Sequence, residues 1–280
     1  MMRARGWLAA LPMLTLLAAG FAAPIAIVAV TSLMPPRTFS LTGALALSNY
    51  LAAFTEGYWR PLMWSALGAL ATTAICLVLA WPTANALMRL GGRVATLVAI
   101  LIALPIFISE SVRLFGLSLF LMPGGGILAG TLNELFGIRI GSILNTRLAA
   151  LIGLVYIHFP FVLFPLMLGL GLVPRDQVEA ARDLGASGWQ LFREIEAPLA
   201  APGAAIGAML CFVLALGANA EAAILGGRAV TVATQAIEQR FSYAQDWPQG
   251  AALTMLLVLI TALVVIPLLR RVDLDRLIGR

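Results

Sequence analysis

Six long apolar segments dominate the chain, at about Trp7 to Leu33, Pro61 to Leu87, Val94 to Met122, Leu148 to Leu172, Pro202 to Leu225 and Gly250 to Leu269. A helix needs about 20 mostly apolar residues to cross the hydrocarbon of a bilayer, and each segment reaches that length. Inside lipid every backbone N–H and C=O must find a partner within the protein, so the segments are predicted to be helices. Composition agrees: 61% of residues are hydrophobic and 11% charged, against about 45–50% and about 25% in ordinary soluble domains. A water-soluble fold of this size could not cover so much apolar surface. The expected fold class is all-α, a polytopic membrane protein with six transmembrane helices in contact with the lipid bilayer.

The joints between segments are legible too. Pro35-Pro36-Arg37 ends the first span, because proline cannot continue a helix. Arg89-Leu-Gly-Gly-Arg93 is a tight turn, and Pro123-Gly-Gly-Gly126 breaks the chain after the third span. Residues 126–144 are less uniformly apolar and read as a short helix lying at the membrane surface. Arg3 and Arg5 precede the first span as they would a signal peptide, but an h-region is only about 7–15 residues long. The run from Trp7 to Met34 exceeds that and is expected to be a retained helix. Pro82, Pro105, Pro160, Pro165 and Pro267 interrupt several spans, as they do in many helix bundles.

Orientation follows from the arginines, since basic residues gather on the cytoplasmic side. With the N-terminus in the cytoplasm, Arg3, Arg5, Arg89, Arg93, Arg175, Arg182, Arg193, Arg270, Arg271, Arg276 and Arg280 face inward. Arg37, Arg60, Arg139, Arg147, Arg228 and Arg240 face outward, and Arg113 falls within the third span. Both termini, and the loop over 174–198, are therefore expected in the cytoplasm.

Every basic side chain apart from His158 is an arginine. The phosphate-binding loop of nucleotide hydrolases ends in Gly-Lys-Ser/Thr, so a chain without lysine holds no such loop. Any ATP hydrolysis must happen on another subunit. No cofactor is expected on this chain, and the basic balance is read as topology rather than nucleic-acid binding. Cys76 and Cys211 lie in apolar stretches and read as two buried free thiols. One histidine cannot supply the paired ligands of a metalloprotease, and Gly185-Ala-Ser-Gly188 is not the Gly-x-Ser-x-Gly elbow of a serine hydrolase. No metal site is expected, and the chain is not read as an enzyme.

The loop between spans four and five carries the most information. It reads Arg175-Asp-Gln-Val-Glu179-Ala-Ala-Arg-Asp-Leu-Gly185-Ala-Ser-Gly-Trp-Gln-Leu-Phe-Arg-Glu-Ile195-Glu-Ala-Pro198, which predicts two short helices joined by a turn. Asp176 is expected as an N-cap, with Glu179 three residues on completing a capping box. Gly185 stands where a left-handed C-cap residue belongs. Ser187 caps a second helix, expected to end near Ile195 and to be closed by Pro198. Ala180 and Ala181 leave a small surface that lets a partner approach. Two uses fit: a docking knob for a cytoplasmic protein, or an amphipathic loop packed on lipid headgroups.

The spacing of Glu179-Ala180-Ala181, Gly185, Ile195 and Pro198 resembles the EAA motif of binding-protein-dependent ABC transporter permeases. That pattern usually ends in Ile-x-Leu-Pro; Ala197 takes the leucine position here. Ser48-Asn49-Tyr50, Leu104-Pro105, Arg113, Tyr156-x-x-Phe159-Pro160-Phe161, Leu225-Gly226-Gly227 and Asp246-Trp247-Pro248-Gln249-Gly250-Ala251-Ala252 are similar to the spermidine/putrescine-type branch. Relatives often carry Thr-Pro before the Leu-Gly-Gly turn, where this chain has Glu221-Ala222. The resemblance implies a type I importer permease fold in a single domain over 1–280, with an extra N-terminal helix at 7–33, a core bundle at 61–270 and a coupling loop at 174–198. It further implies a bacterial inner-membrane location, a second permease subunit, a dimer of ATPases holding ATP and Mg, and a periplasmic solute-binding protein. Glu179 would pair with a basic residue of the ATPase. The implied solute is a polyamine, the other candidates being aminophosphonates, amino-acid derivatives or thiamine-like cations.

Ionisable residues inside a bilayer cost at least about 2.5 kcal/mol each near the centre and usually mark function. Glu110 and Arg113, three residues apart on one helical face, either neutralise each other or face the solute. Glu221, near the outer end of span five, either meets a cationic solute or sits at the water interface. Tyr156 joins this candidate path. His158 is expected to make a helix–helix hydrogen bond. Gly203-x-x-x-Gly207, followed by Cys211 and Ala215, is a small-residue stripe that lets two helices pack closely, the partner being another span or a second subunit. An ion-driven secondary transporter would show inverted repeats and midplane acids. No convincing repeat is visible, and that reading leaves the EAA-like loop unexplained.

Overall fold

A computed structural model of the chain describes residues 11–37, 45–122, 126–137 and 141–270. Arg3, Arg5, Arg139, Arg271, Arg276 and Arg280, the start of span one and Pro123 to Gly125 lie outside the described residues. The helices are α1 (Leu11–Ser32), α2 (Ser48–Thr55), α3 (Trp59–Leu90), α4 (Gly92–Phe107), α5 (Glu110–Leu121), α6 (Ile127–Phe136), α7 (Arg147–Gly171), α8 (Arg175–Asp183), α9 (Gly188–Leu216), α10 (Ala233–Glu238) and α11 (Trp247–Leu269). Among the described residues there are no strands. Five helices, α1, α3, α7, α9 and α11, are long and apolar enough to cross a membrane. The pair α4 and α5 supplies the sixth crossing if counted as one broken span.

That break corrects the third apolar segment, expected to be one continuous helix. The pair bends by 106° between Phe107 and Glu110. Pro105 has no N–H to give, the helix tightens into a 3₁₀ turn over Leu104–Phe107, and Ile108 is extended at φ −98°, ψ 139°. Glu110 then opens α5 in its first turn, where the helix dipole favours a carboxylate.

The described residues fall into two compact units, one from the stretches 11–62 and 233–260, the other from 63–232 and 261–270. In the first unit, Ala53, Leu62, Ala233, Ala236 and Leu253 form a buried core. The end of α1 is fastened by Asn49, which is fully buried and donates from Nδ2 to the carbonyl oxygens of Ser32 at 3.0 Å and Met34 at 2.7 Å. These are carbonyls that a helix end leaves without partners. The Ser32 hydroxyl and the Tyr50 hydroxyl share a hydrogen bond of 2.8 Å, and the Arg37 N–H donates to Asp246 Oδ1 at 3.1 Å.

In the second unit the main core joins α3, α7 and α9. Cys76, Ala80, Ala84 and Leu87 pack on Val162, Leu163, Leu166, Leu170, Ala200 and Cys211. Both cysteines are free and fully buried, as expected. The small-residue stripe of span five finds its partner within the chain. A Cβ on Gly203 would meet the Pro165 carbonyl oxygen and, at 2.8 Å, the Gly169 Cα. One on Gly207 would come within 3.0 Å of the Val162 backbone. The backbones of α7 and α9 therefore touch, which only glycine allows. A second core packs Leu114 and Leu121 of α5 on Ala149 and Ile157 of α7 and on Leu225.

Candidate functional site

Two places in the second unit gather the residues that the sequence singled out. The first is the hairpin between spans four and five. Helix α8 begins at Arg175 after Pro174, which takes the N-cap position in an extended conformation with no side-chain cap. Asp176 thus lies in the first turn and is not the cap, correcting the expected Asp176–Glu179 box. Its carboxylate still favours the helix N-terminus through the dipole. The turn after α8 forms as expected: Gly185 has φ +83°, its N–H donates to Arg182 O, and the Ala186 N–H donates to Ala181 O, both at 2.9 Å. The capping box of the hairpin belongs to Ser187. Its hydroxyl accepts from the Gln190 N–H at 3.3 Å, and the Ser187 N–H donates to Gln190 Oε1 at 2.8 Å.

The second arm does not stop near Ile195 or Pro198. From Gly188 the helix runs through a π turn at Phe192–Glu196 and on to Leu216 without interruption. A π turn shifts the hydrogen-bond ladder by one residue, which accommodates the missing N–H of Pro198 immediately beyond it. Span five thus begins inside the hairpin rather than at Pro202, and the segment after Leu216 is a separate element. The arm is braced on α3: Phe192 meets Trp81 edge-on at a centroid distance of 4.9 Å, and the Asn85 amide donates to Glu196 Oε2 at 3.4 Å. Trp189 stacks on Phe192 at 5.1 Å. Glu179, Ala180, Gly185 and Pro198 are exposed, while Ala181 and Ile195 are half-buried. Leu184, one of the residues expected to supply apolar area in this loop, is 90% exposed, and sequence reasoning missed Trp189, which is 67% exposed. Both belong to the motif segment.

The second place is a cluster of ionisable groups. Glu221, 1% exposed, precedes a π turn at Ala222–Gly226 that follows the end of α9. It is buried, not at a water interface. Neither carboxylate oxygen has a hydrogen-bond partner among the described residues. The nearest base is His158 of α7, whose Nδ1 lies 3.9 Å from Glu221 Oε1. That Nδ1–H donates to Leu154 O at 2.8 Å, so the histidine bonds within its own helix, not to another as expected. Glu110 and Arg113 lie within electrostatic reach of both Glu221 and His158. They do not form an ion pair among the described residues. Glu110 is exposed, and the shielded Nε and Nη1 of Arg113 have no hydrogen-bond partner among the described residues. Tyr156 is 42% exposed on α7 and is not among the residues gathered around Glu221.

Residues 77–273 match the binding-protein-dependent transport system inner membrane component family. The chain belongs to that family. Relatives include the spermidine/putrescine transport system permease protein PotB of Haemophilus influenzae, 32% identical over 231 residues, which are 79% of this chain and 77% of that protein. PotB of Escherichia coli is 34% identical over 226 residues, 79% of this chain and 80% of its own. Among solved structures, a chain of a bacterial ABC transporter involved in the import of alginate superposes with a TM-score of 0.71 at 16% identity, covering 96% of this chain and 97% of that one. A chain of the inward-facing MetNI methionine ABC transporter gives a TM-score of 0.54 at 19% identity, covering 76% and 93%. At such identities the likeness speaks for the fold. The chain is thus an all-α, multi-pass inner-membrane protein, the permease subunit of an ABC importer that works with the other parts of such a transporter.

Proposed function

We propose that this permease carries a polyamine or a closely related cation, and that the α8–α9 hairpin docks into a cleft of the partner ATPase. Both termini and the hairpin lie in the cytoplasm in this reading, following the arginine count. The observation that carries it is the continuity of the hairpin with span five. A helix from Gly188 to Leu216 is one rigid lever, and its end displays Trp189 beside the Leu184 turn. A partner that grips these apolar groups moves the whole span. Glu179 pairs with a basic residue of the ATPase, Ala180, Ala181 and Gly185 allow close approach, and Ile195 and Pro198 set the path of the lever. ATP and Mg sit on the ATPase dimer. A second permease subunit completes the path, and a periplasmic binding protein delivers the solute. Polyamine is supported by the names of the relatives, about one-third identical over most of both chains.

The test is Glu179→Arg in the assembled transporter. The variant protein inserts normally and loses solute-stimulated ATP turnover. Normal turnover in that variant would remove Glu179 from the mechanism. Uptake of radiolabelled putrescine and spermidine into proteoliposomes holding the complete importer, compared with an aminophosphonate, tests the solute.

A further inference from the structure

Beside the Glu221 cluster lies a cavity of about 250 Å³. Its walls come from the first turns of α3, the first turns of α7, the end of α9 and the strand-like stretch at Val230 and Val232. Leu151, Leu154 and Val230 make much of the wall apolar. Glu221 lines it as an almost wholly buried carboxylate with no hydrogen-bond partner among the described residues. A desolvated carboxylate without a donor is among the costliest groups a protein can hold. The neighbours do not answer it: the nearest donor, His158 Nδ1, is already given to the Leu154 carbonyl oxygen, and neither Glu110 nor Arg113 hydrogen-bonds the Glu221 oxygens.

The same cavity also presents aromatic surface. The Arg147 guanidinium lies 3.8 Å from the centroid of the Trp64 ring. An aromatic face attracts a cation most strongly when little water intervenes, and here the chain's own cation occupies it. Arg147 opens α7 and is exposed, so it can leave into water.

We infer that this cavity is a subsite for an alkyl ammonium, with Glu221 receiving one ammonium, the apolar wall receiving the methylene chain, and Trp64 receiving a second cationic group that displaces Arg147. This deepens the polyamine reading and rests on it for the identity of the solute. Glu221 and Trp64 contact the solute, and Arg147 competes with it.

Equilibrium dialysis of the detergent-solubilised importer, without its binding protein, against radiolabelled putrescine and n-butylammonium tests this. Glu221→Gln weakens binding of both by about tenfold or more, the loss of one hydrogen bond to a charged group, and Glu221→Asp restores most of it. Arg147→Ala strengthens putrescine binding, because the competitor is gone; a merely structural role for this exposed residue would not produce that sign. Glu221→Gln and wild type binding alike, or Arg147→Ala binding putrescine more weakly, overturns the subsite. Should Glu221→Gln fail to fold, the Arg147→Ala arm decides alone. Uptake by the wild type separates the two layers. Polyamine uptake with binding indifferent to Glu221 removes the subsite and leaves the transport reading. Glu221-dependent n-butylammonium binding without polyamine uptake keeps the subsite and removes the polyamine.

Discussion

Replacing Gly203 by alanine adds one methyl group to the closest helix contact in the second unit. A Cβ at that position would lie 2.8 Å from the Gly169 Cα and would also strike the Pro165 carbonyl oxygen. Carbon atoms in good contact sit about 3.5–4.0 Å apart, so α7 and α9 must part by roughly 1 Å. The obstructing atoms are backbone, so no side chain can swing aside. A gap of that size forfeits about a quarter to a half of the dispersion well for each pair along the seam. Overpacking of a tight core costs about 1–3 kcal/mol. Against this, Gly→Ala within a helix gains about 1 kcal/mol, leaving a net loss on the order of 1 kcal/mol. Soluble domains of comparable size lose about 2–4 °C per kcal/mol. Tryptophan fluorescence on heating the purified protein in detergent measures this. Gly203→Ala melts a few degrees below wild type, while Gly116→Ala in α5, where a Cβ would meet nothing within 4 Å, melts at or above it. If Gly203→Ala matches Gly116→Ala, the close α7–α9 approach is wrong.

Two further substitutions probe the ends of helices. Asn49→Ala strips the Ser32 and Met34 carbonyls of their donor, at about 1–3 kcal/mol for buried groups left unpaired; trypsin then cuts faster after Arg37, and an unchanged rate argues against the fastening of α1. Ser187→Ala removes the cap of the second hairpin arm, worth about 0.5–2 kcal/mol. Its mark is faster amide exchange at Gln190, with exchange along 200–212 unchanged, and equal exchange at Gln190 would show that the cap carries no weight.

Much of this architecture was legible because lipid imposes so strong a filter. The apolar runs marked spans two, four and six to within a few residues, and the spacing from Glu179 to Pro198 marked the hairpin. Gly185 and Ser187 behaved as their local chemistry demands, since a left-handed turn and a short hydroxyl cap depend on few neighbours. What escaped was set by hydrogen-bond registers that no residue type announces. Pro198 read as a stop, yet a π turn at Phe192–Glu196 carries the helix past it. Hydropathy alone counted Val94 to Met122 as one span, while Pro105 turns the chain by 106° there. Asp176 read as a cap, but Pro174 is already extended and starts the helix earlier. The cluster around Glu221 joins residues 110, 113, 158 and 221, a convergence that only the packing of α5, α7 and the segment after α9 creates.

The sidedness of the hairpin tests the account most directly. Leu184 is 90% exposed, and the native Cys76 and Cys211 are fully buried, so Leu184→Cys offers a membrane-impermeant maleimide one accessible thiol among the described residues. Tyr243→Cys, at a position 82% exposed between α10 and α11, serves as the reference for the opposite face. The account predicts that intact spheroplasts label Cys at 243 but not at 184, and that lysis opens 184 to the reagent. Labelling at 184 in intact spheroplasts would contradict it, because a hairpin on the outer face cannot receive force from an ATPase in the cytoplasm.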